Sequence, residues 1–360
     1  MLRAHNFSAG PGALPRSVLE QTQQAVIELP ETGLSVLGMS HRSAWFERVL
    51  DETERNLREL LHVPASYRVL FMQGGATLQF AILPMLFLAR GGFAEYLDTG
   101  YWSAKSIAEA RRFGDIRVPW SGAAQGYDRL PKASELTLSE SAKYFHYVSN
   151  ETVEGLQFHD LRGLSGVPRV CDLSSDFLAR PTTVSDFALL YAHAQKNLGP
   201  AGVTVVIVHE SVLEKIPEGL PTMLDYRRYV ETKSIYNTPP VFAVYVTLLV
   251  TRWLRDEIGG LEAMEQRNAA KALRLYRAIA ESREFYRSSI LPRDRSLMNV
   301  TFQLSSPERA RHFVAAAEAR GLHGLAGHRA RGGVRASLYN AVELESVDAL
   351  ADFMTEYALG

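Results

Sequence analysis

The stretch "AHAQKNLGPAG", residues 192–202, decides the reading of this chain. It follows the short apolar run "FALLY" (187–191) and leads into "VTVVIV" (203–208). Both runs have the length and β-branched content of buried strands. One cation, Lys196, sits between them among Ala192, Ala194, Gly199 and Gly202. Only seven of the 39 basic residues are lysine, so a general lysine coat explains it poorly. A lysine in a desolvated pocket has a lowered pKa and a free amine able to condense with a carbonyl compound. The plain alternative is a lysine that snorkels at a sheet edge.

Outward from this stretch, apolar runs recur at "YRVLFM" (67–72), "AEYLD" (94–98), "YFHYVS" (144–149) and "PRVCD" (168–172). Helical patterns stand at "PRSVLEQTQQAVIEL" (15–29), "SAWFERVLDETERNLRELLHV" (43–63) and "ATLQFAILPMLFLA" (76–89). Strands alternating with helices predict an α/β fold with a mostly parallel sheet flanked by helices. From about Gly260 the texture changes. A long Arg/Ala/Glu-rich helix, "LEAMEQRNAAKALRLYRAIAES" (261–282), precedes "LMNVTFQL", "PERARHFVAAAEARG" and "SVDALADFMTEYA". The expected division is a large domain over 16–260 and a smaller α+β domain over 261–360, with segment 1–15 packing near the site.

Two further stretches carry chemistry. "FMQGGATLQF" (71–80) is a strand, a double-glycine turn and a helix start. Gly74 and Gly75 let a ligand approach the backbone, and the amides of Ala76 and Thr77 would point at an anion. An ordinary tight turn is the better reading of this stretch alone. "RVCDLSSDF" (169–177) places Asp172 at the C-terminal end of a strand, where open α/β sheets bind ligands. A carboxylate there can hold a cationic ring nitrogen, although a helix-capping or turn aspartate is the better reading of the residue in isolation. Taken together, a phosphate turn, an acid for a ring nitrogen and an amine for an aldehyde carbon are the handles of pyridoxal 5'-phosphate. Trp102, in "DTGYWS" (98–103), is placed to stack on the ring or to serve as a core aromatic.

The sequence resembles the phosphoserine aminotransferases, a family of fold-type I pyridoxal-phosphate enzymes. The likeness runs in order from "NFSAGPGALP" (6–15) through "SHR" (40–42), "GGATLQF", "DTGYWS", "NET" (150–152), "SSDF" (174–177), "AHAQKNLGPAG" and "YNTPP" (236–240) to "GHRARGGVRASLYN" (327–340). It implies that Lys196 is the Schiff-base lysine and Asp172 the partner of the ring nitrogen. It implies Trp102 as the stacking ring and Thr152 as the partner of the ring hydroxyl. Ala76 and Thr77 would bind the phosphate with help from Gln195. Asn237 and Thr238 would reach the phosphate of a neighbouring subunit's cofactor, which implies a homodimer with shared sites. Some relatives carry an arginine where Thr77 stands, so no extra cation is expected there.

The resemblance also implies amino transfer between O-phospho-L-serine with 2-oxoglutarate and 3-phosphohydroxypyruvate with L-glutamate, by a ping-pong route in serine biosynthesis. It leaves open phosphohydroxythreonine, of pyridoxine biosynthesis, as a second substrate. Such an enzyme must grip an α-carboxylate and a distal anion. Arginine's planar fork suits both. Arg335 is expected on the α-carboxylate, and His41, Arg42, His328 and Arg329 on the distal anion. With 32 arginines in the chain, most are expected to be solvated or in surface ion pairs. The alternatives are a transaminase acting on alanine or serine with glyoxylate, and a catalytically silent relative of the fold.

Composition narrows the field. The net charge of −1 gives no basic footprint for nucleic acid. Cys171 is the only cysteine, so no intramolecular disulfide forms and a reducing compartment fits. No zinc-type Cys/His set or membrane-length apolar run is present, so the expectation is a cytoplasmic enzyme without metal.

Overall fold

A computed structural model describes residues 4–160 and 166–359. The chain opens with the short strand β1 (His5–Asn6), followed by helices α1 (Arg16–Ile27) and α2 (Ala44–Leu61). Helix α2 starts where Ser43 accepts a hydrogen bond from the amide of Phe46, a cap worth about 1 kcal/mol. It buries Trp45, Phe46, Val49, Leu50, Leu57, Leu60 and Leu61, a stripe at helical spacing. Next come β2 (Tyr67–Met72), α3 (Gly75–Phe87), β3 (Phe93–Asp98), α4 (Tyr101–Ala110) and β4 (Asp115–Ser121).

Strands β5 (Phe145–Val148), β6 (Asn150–Glu151), β7 (Leu156–Gln157), β8 (Arg169–Asp172), β9 (Leu189–His193) and β10 (Thr204–His209) complete this half. Seven strands form one sheet in the order β2-β10-β9-β8-β5-β3-β4. Only β10 runs antiparallel to its neighbours. The mostly parallel sheet expected from the sequence is therefore present. Its central strands β5, β8, β9 and β10 are almost wholly buried, as strands covered on both faces must be.

Two short helices, α5 (Glu210–Leu213) and α6 (Tyr226–Glu231), precede α7 (Val241–Arg252), which buries every residue from Ala243 to Thr251. Sequence periodicity does not single out α7, because a helix apolar on all sides has no polar face to mark its period. Asn56 of α2 donates to the Thr251 hydroxyl across this packing, at 3.1 Å.

The remaining elements are α8 (Leu261–Glu281), β11 (Asn299–Phe302), α9 (Pro307–Ala319), β12 (Leu322–His323), β13 (Val334–Ser337) and α10 (Leu344–Leu359). Strands β11 and β13 pair antiparallel, and β1 pairs parallel with β12. A separate apolar cluster built on Leu275, Val300, Phe302, Phe313, Val347 and Leu350 holds them together. Phe7, from the start of the chain, is fully buried in that cluster. Lys271 of α8 is also buried there, and its amine donates to the carbonyls of Leu338 and Tyr339, both at 2.8 Å.

Candidate active site

The C-terminal ends of β2, β3, β5, β8 and β9 converge on one cavity of about 470 Å³. Gly74, Gly75, Ala76, Thr77, Trp102, Thr152, Asp172, Gln195 and Lys196 all line it. The structure thus brings together nine residues that lie scattered between positions 74 and 196 of the sequence.

Each wall follows from local structure. After β2 the backbone turns through positive φ at Gly74 (+92°) and Gly75 (+68°). A β-carbon on Gly74 would collide with the Leu78 side chain, so this turn requires glycine. The turn delivers the first amides of α3 to the cavity, where they have no intrahelical acceptor. That is a cradle for an anion.

Asp172 ends β8 and is buried. Its Oδ1 accepts from the amide of Ser174 at 2.8 Å. Burial pushes its carboxyl up to about 6, against the pull of the Ser174 hydrogen bonds and, more weakly, of the Lys196 charge. An acid held in this way gains from a cationic partner inside the cavity. Lys196 follows β9 and is half-buried. Its Nζ donates to the carbonyl of Ala9, which also accepts from the Tyr339 hydroxyl at 2.9 Å. The N-terminal segment thereby closes over the lysine, and the amide of Gly12 donates to the carbonyl of Gln195 at 2.8 Å.

Trp102 forms another wall, and its indole Nε1 donates to the Thr152 hydroxyl at 2.9 Å. Thr152 Oγ1 is therefore already an acceptor, and its own proton remains for a ligand oxygen. These groups match the demands of pyridoxal phosphate: an anion cradle, a flat aromatic wall, a buried acid and a reachable amine.

Other expected residues lie elsewhere. Arg335, on β13, donates from Nη1 to the carbonyl of Thr152 at 3.1 Å. Its Nε is buried and finds no hydrogen-bond partner among the described residues, and burial lowers the pKa of its guanidinium. His328 packs its ring 4.6 Å from that of Tyr101, beside Trp102. Burial, with Arg335 and Arg329 nearby, lowers the His328 pKa. Arg329 is exposed. His41 and Arg42 sit on the turn before α2, outside the cavity lining. Asn237 and Thr238 also lie outside it. Asn237 donates to the Gln73 side chain at 3.0 Å, and Gln73 donates to the Thr238 carbonyl at 2.9 Å.

Sequence reasoning missed several lining residues. Asn150, Ser174, Ser175 and His193 all face the cavity. The His193 ring stands where a β-carbon on Gly75 would be 3.2 Å from Nδ1, and burial lowers its pKa. A signal existed: each lies within three residues of one already singled out, Thr152, Asp172 or Gln195. Among the described residues, no cluster of His, Cys, Asp and Glu could hold a metal ion. No helix among them is long and apolar enough to cross a membrane.

Comparison with known proteins agrees with this geometry. Residues 4–350 match the model of the family "Aminotransferase class-V". A phosphoserine aminotransferase of Niallia circulans is 48% identical over 355 residues, covering 99% of this chain and 98% of that protein. The solved phosphoserine aminotransferase of Bacillus circulans subsp. alkalophilus superposes with a TM-score of 0.96 at 48% identity, over 99% of each chain. The pyridoxal-phosphate-bound phosphoserine aminotransferase of Trichomonas vaginalis gives 0.91 at 37% identity, over 98% of this chain and 99% of that one. This chain belongs to the class-V aminotransferases.

Proposed function

We propose that the chain is a pyridoxal-phosphate-dependent phosphoserine aminotransferase. It moves the amino group between O-phospho-L-serine with 2-oxoglutarate and 3-phosphohydroxypyruvate with L-glutamate. The observation that carries this is Asp172: a buried carboxyl pushed up to about 6, at a strand end, in one cavity with Lys196 and the double-glycine turn. Near-half identity along almost the whole length of curated phosphoserine aminotransferases supports the substrate class.

When bound, the cofactor supplies an electron sink for the carbanion left at the substrate's α-carbon. The chain's residues supply the rest. Lys196 would hold the aldehyde carbon, and its Nζ, once free, would move the substrate's α-proton. Asp172 keeps a ring nitrogen protonated. Trp102 covers the ring, Thr152 holds the ring hydroxyl, and Ala76, Thr77 and Gln195 hold the phosphate. Arg335 binds the substrate α-carboxylate with its fork of donors. His41, Arg42, His328 and Arg329 take the distal anion. Asn237 and Thr238 serve the phosphate of a second subunit, so the active form is a homodimer. The chain divides at residue 260 into a cofactor domain and a smaller C-terminal domain, and works in the cytoplasm.

The test is the absorbance spectrum of the purified protein before and after phosphoserine is added. A coloured protein whose visible band shifts with phosphoserine and with glutamate supports the proposal. A band that answers to alanine and glyoxylate alone would give the chain a different substrate class.

A further inference from the structure

One turn of chain, residues 151–154, grips the start of α4 at four points. The Glu154 carboxylate accepts from the amide of Tyr101 at 3.2 Å. The Glu151 carboxylate accepts from the amide of Trp102 at 3.0 Å through one oxygen and from that of Ser103 at 2.8 Å through the other. Thr152, between them, accepts from the Trp102 indole at 2.9 Å. Three successive amides and one ring nitrogen are thus held by three side chains of a single turn.

A helix start leaves its first amides without intrahelical acceptors, and here Ser103 serves only those of Thr99 and Gly100. The amides of Tyr101, Trp102 and Ser103 are left to the two glutamates, where an ordinary start would use one short capping side chain and water. Both glutamates are at least nine-tenths buried. Glu154 Oε2 has no hydrogen-bond partner among the described residues. Gly100 keeps this packing possible, since a β-carbon there would stand 2.5 Å from that oxygen. Two buried carboxylates in contact with one helix end are costly. Burial raises both pKa values against the pull of the amide hydrogen bonds, and the charge of Glu154 adds to the rise of Glu151. The chain tolerates this cost at the helix whose second residue, Trp102, forms the aromatic wall of the cavity.

We propose that Glu151 and Glu154 are positioning residues, which fix the Trp102 ring against the cofactor by clasping the first amides of α4. The inference rests on the reading of the cavity as a pyridoxal-phosphate site with Trp102 as its aromatic wall. Glu151 acts on the cofactor only through Trp102. Removing the clasp therefore costs nothing further once the indole is gone.

The experiment is a double-mutant cycle on cofactor affinity. Pyridoxal phosphate is titrated into the cofactor-depleted full-length protein and binding is read from visible absorbance. Glu151→Gln keeps shape but turns one acceptor into a donor facing an amide. It weakens binding about fivefold, as loss of one ordinary hydrogen bond implies. Trp102→Ala, which removes the ring, weakens it about tenfold, and the double variant stays near tenfold instead of the roughly fiftyfold of independent sites. Glu154→Gln, with Trp102→Ala, repeats the cycle in case Glu151→Gln does not fold. Additive losses in the cycle, or glutamate variants that bind as tightly as the parent, overturn the positioning role. If Trp102→Ala alone binds like the parent, the aromatic-wall reading fails and takes the inference with it.

Discussion

The backbone of Gly10 approaches Lys196 so closely that a β-carbon there would stand 2.6 Å from Nζ. Gly10 also has a φ of +146°, which side-chain-bearing residues rarely adopt. Its neighbour Ala9 accepts the lysine's hydrogen bond. The N-terminal loop therefore sets where the amine can point. Gly10→Ala is expected to cut turnover at least about tenfold, a barrier change of about 1.4 kcal/mol. Steady-state rates with phosphoserine check this, and a fully active variant would show that the loop leaves the amine free.

With Asp172 as the proposed partner of the ring nitrogen, cofactor binding is expected to depend on pH. Its folded pKa is raised to about 6 from an ordinary 3.8, so the carboxylate is present only above that range. Affinity for pyridoxal phosphate is expected to fall as pH drops through about 6. Asp172→Asn should bind weakly with no such step. The same rise means that the cofactor-free protein loses stability from this group as pH climbs from 3.8 to about 6, because the unfolded chain releases the proton first. Titrations at pH 5.5 and 7.5, side by side for the parent and Asp172→Asn, measure the difference.

The sequence shows some of this fold openly and hides other parts for physical reasons. Strands β8, β9 and β10 are short runs buried on both faces, so composition alone marks them. Strand β4, "DIRVPWS", escaped notice because it is an edge strand that keeps polar residues and Pro119. Helix α4 carries no strong period over its ten residues. In the site, Lys196, Asp172 and the glycine turn are legible because their neighbours restrict what they can do. Glu151 and Glu154 are not, since nothing local distinguishes a buried glutamate from a solvated one. Arg335 needed the resemblance, being one of 32 arginines.

Lys271 supplies a test of the C-terminal core. Burial, with the Arg267 charge adding, lowers its pKa to about 7 from an ordinary 10.5. Between those values the unfolded chain binds the proton that the folded chain has released, so stability from this group rises with pH. The gap in melting temperature between the parent and Lys271→Met should widen from pH 7 to pH 9. A gap that is constant or narrows would mean that the amine stays charged against its carbonyls.

Arg335 couples β13 to the cavity wall through the carbonyl of Thr152. Arg335→Lys keeps the charge but loses the fork. It should raise KM for phosphoserine and for glutamate alike, each by about tenfold or more, in line with loss of a charged hydrogen bond. An effect confined to phosphoserine would move Arg335 to the distal anion.

The central claim is a covalent one, and reduction tests it directly. Borohydride treatment of the coloured protein, followed by peptide mapping, should place a pyridoxyl group on Lys196 and no other lysine. A label on any of the other six lysines, or on none, would contradict the account.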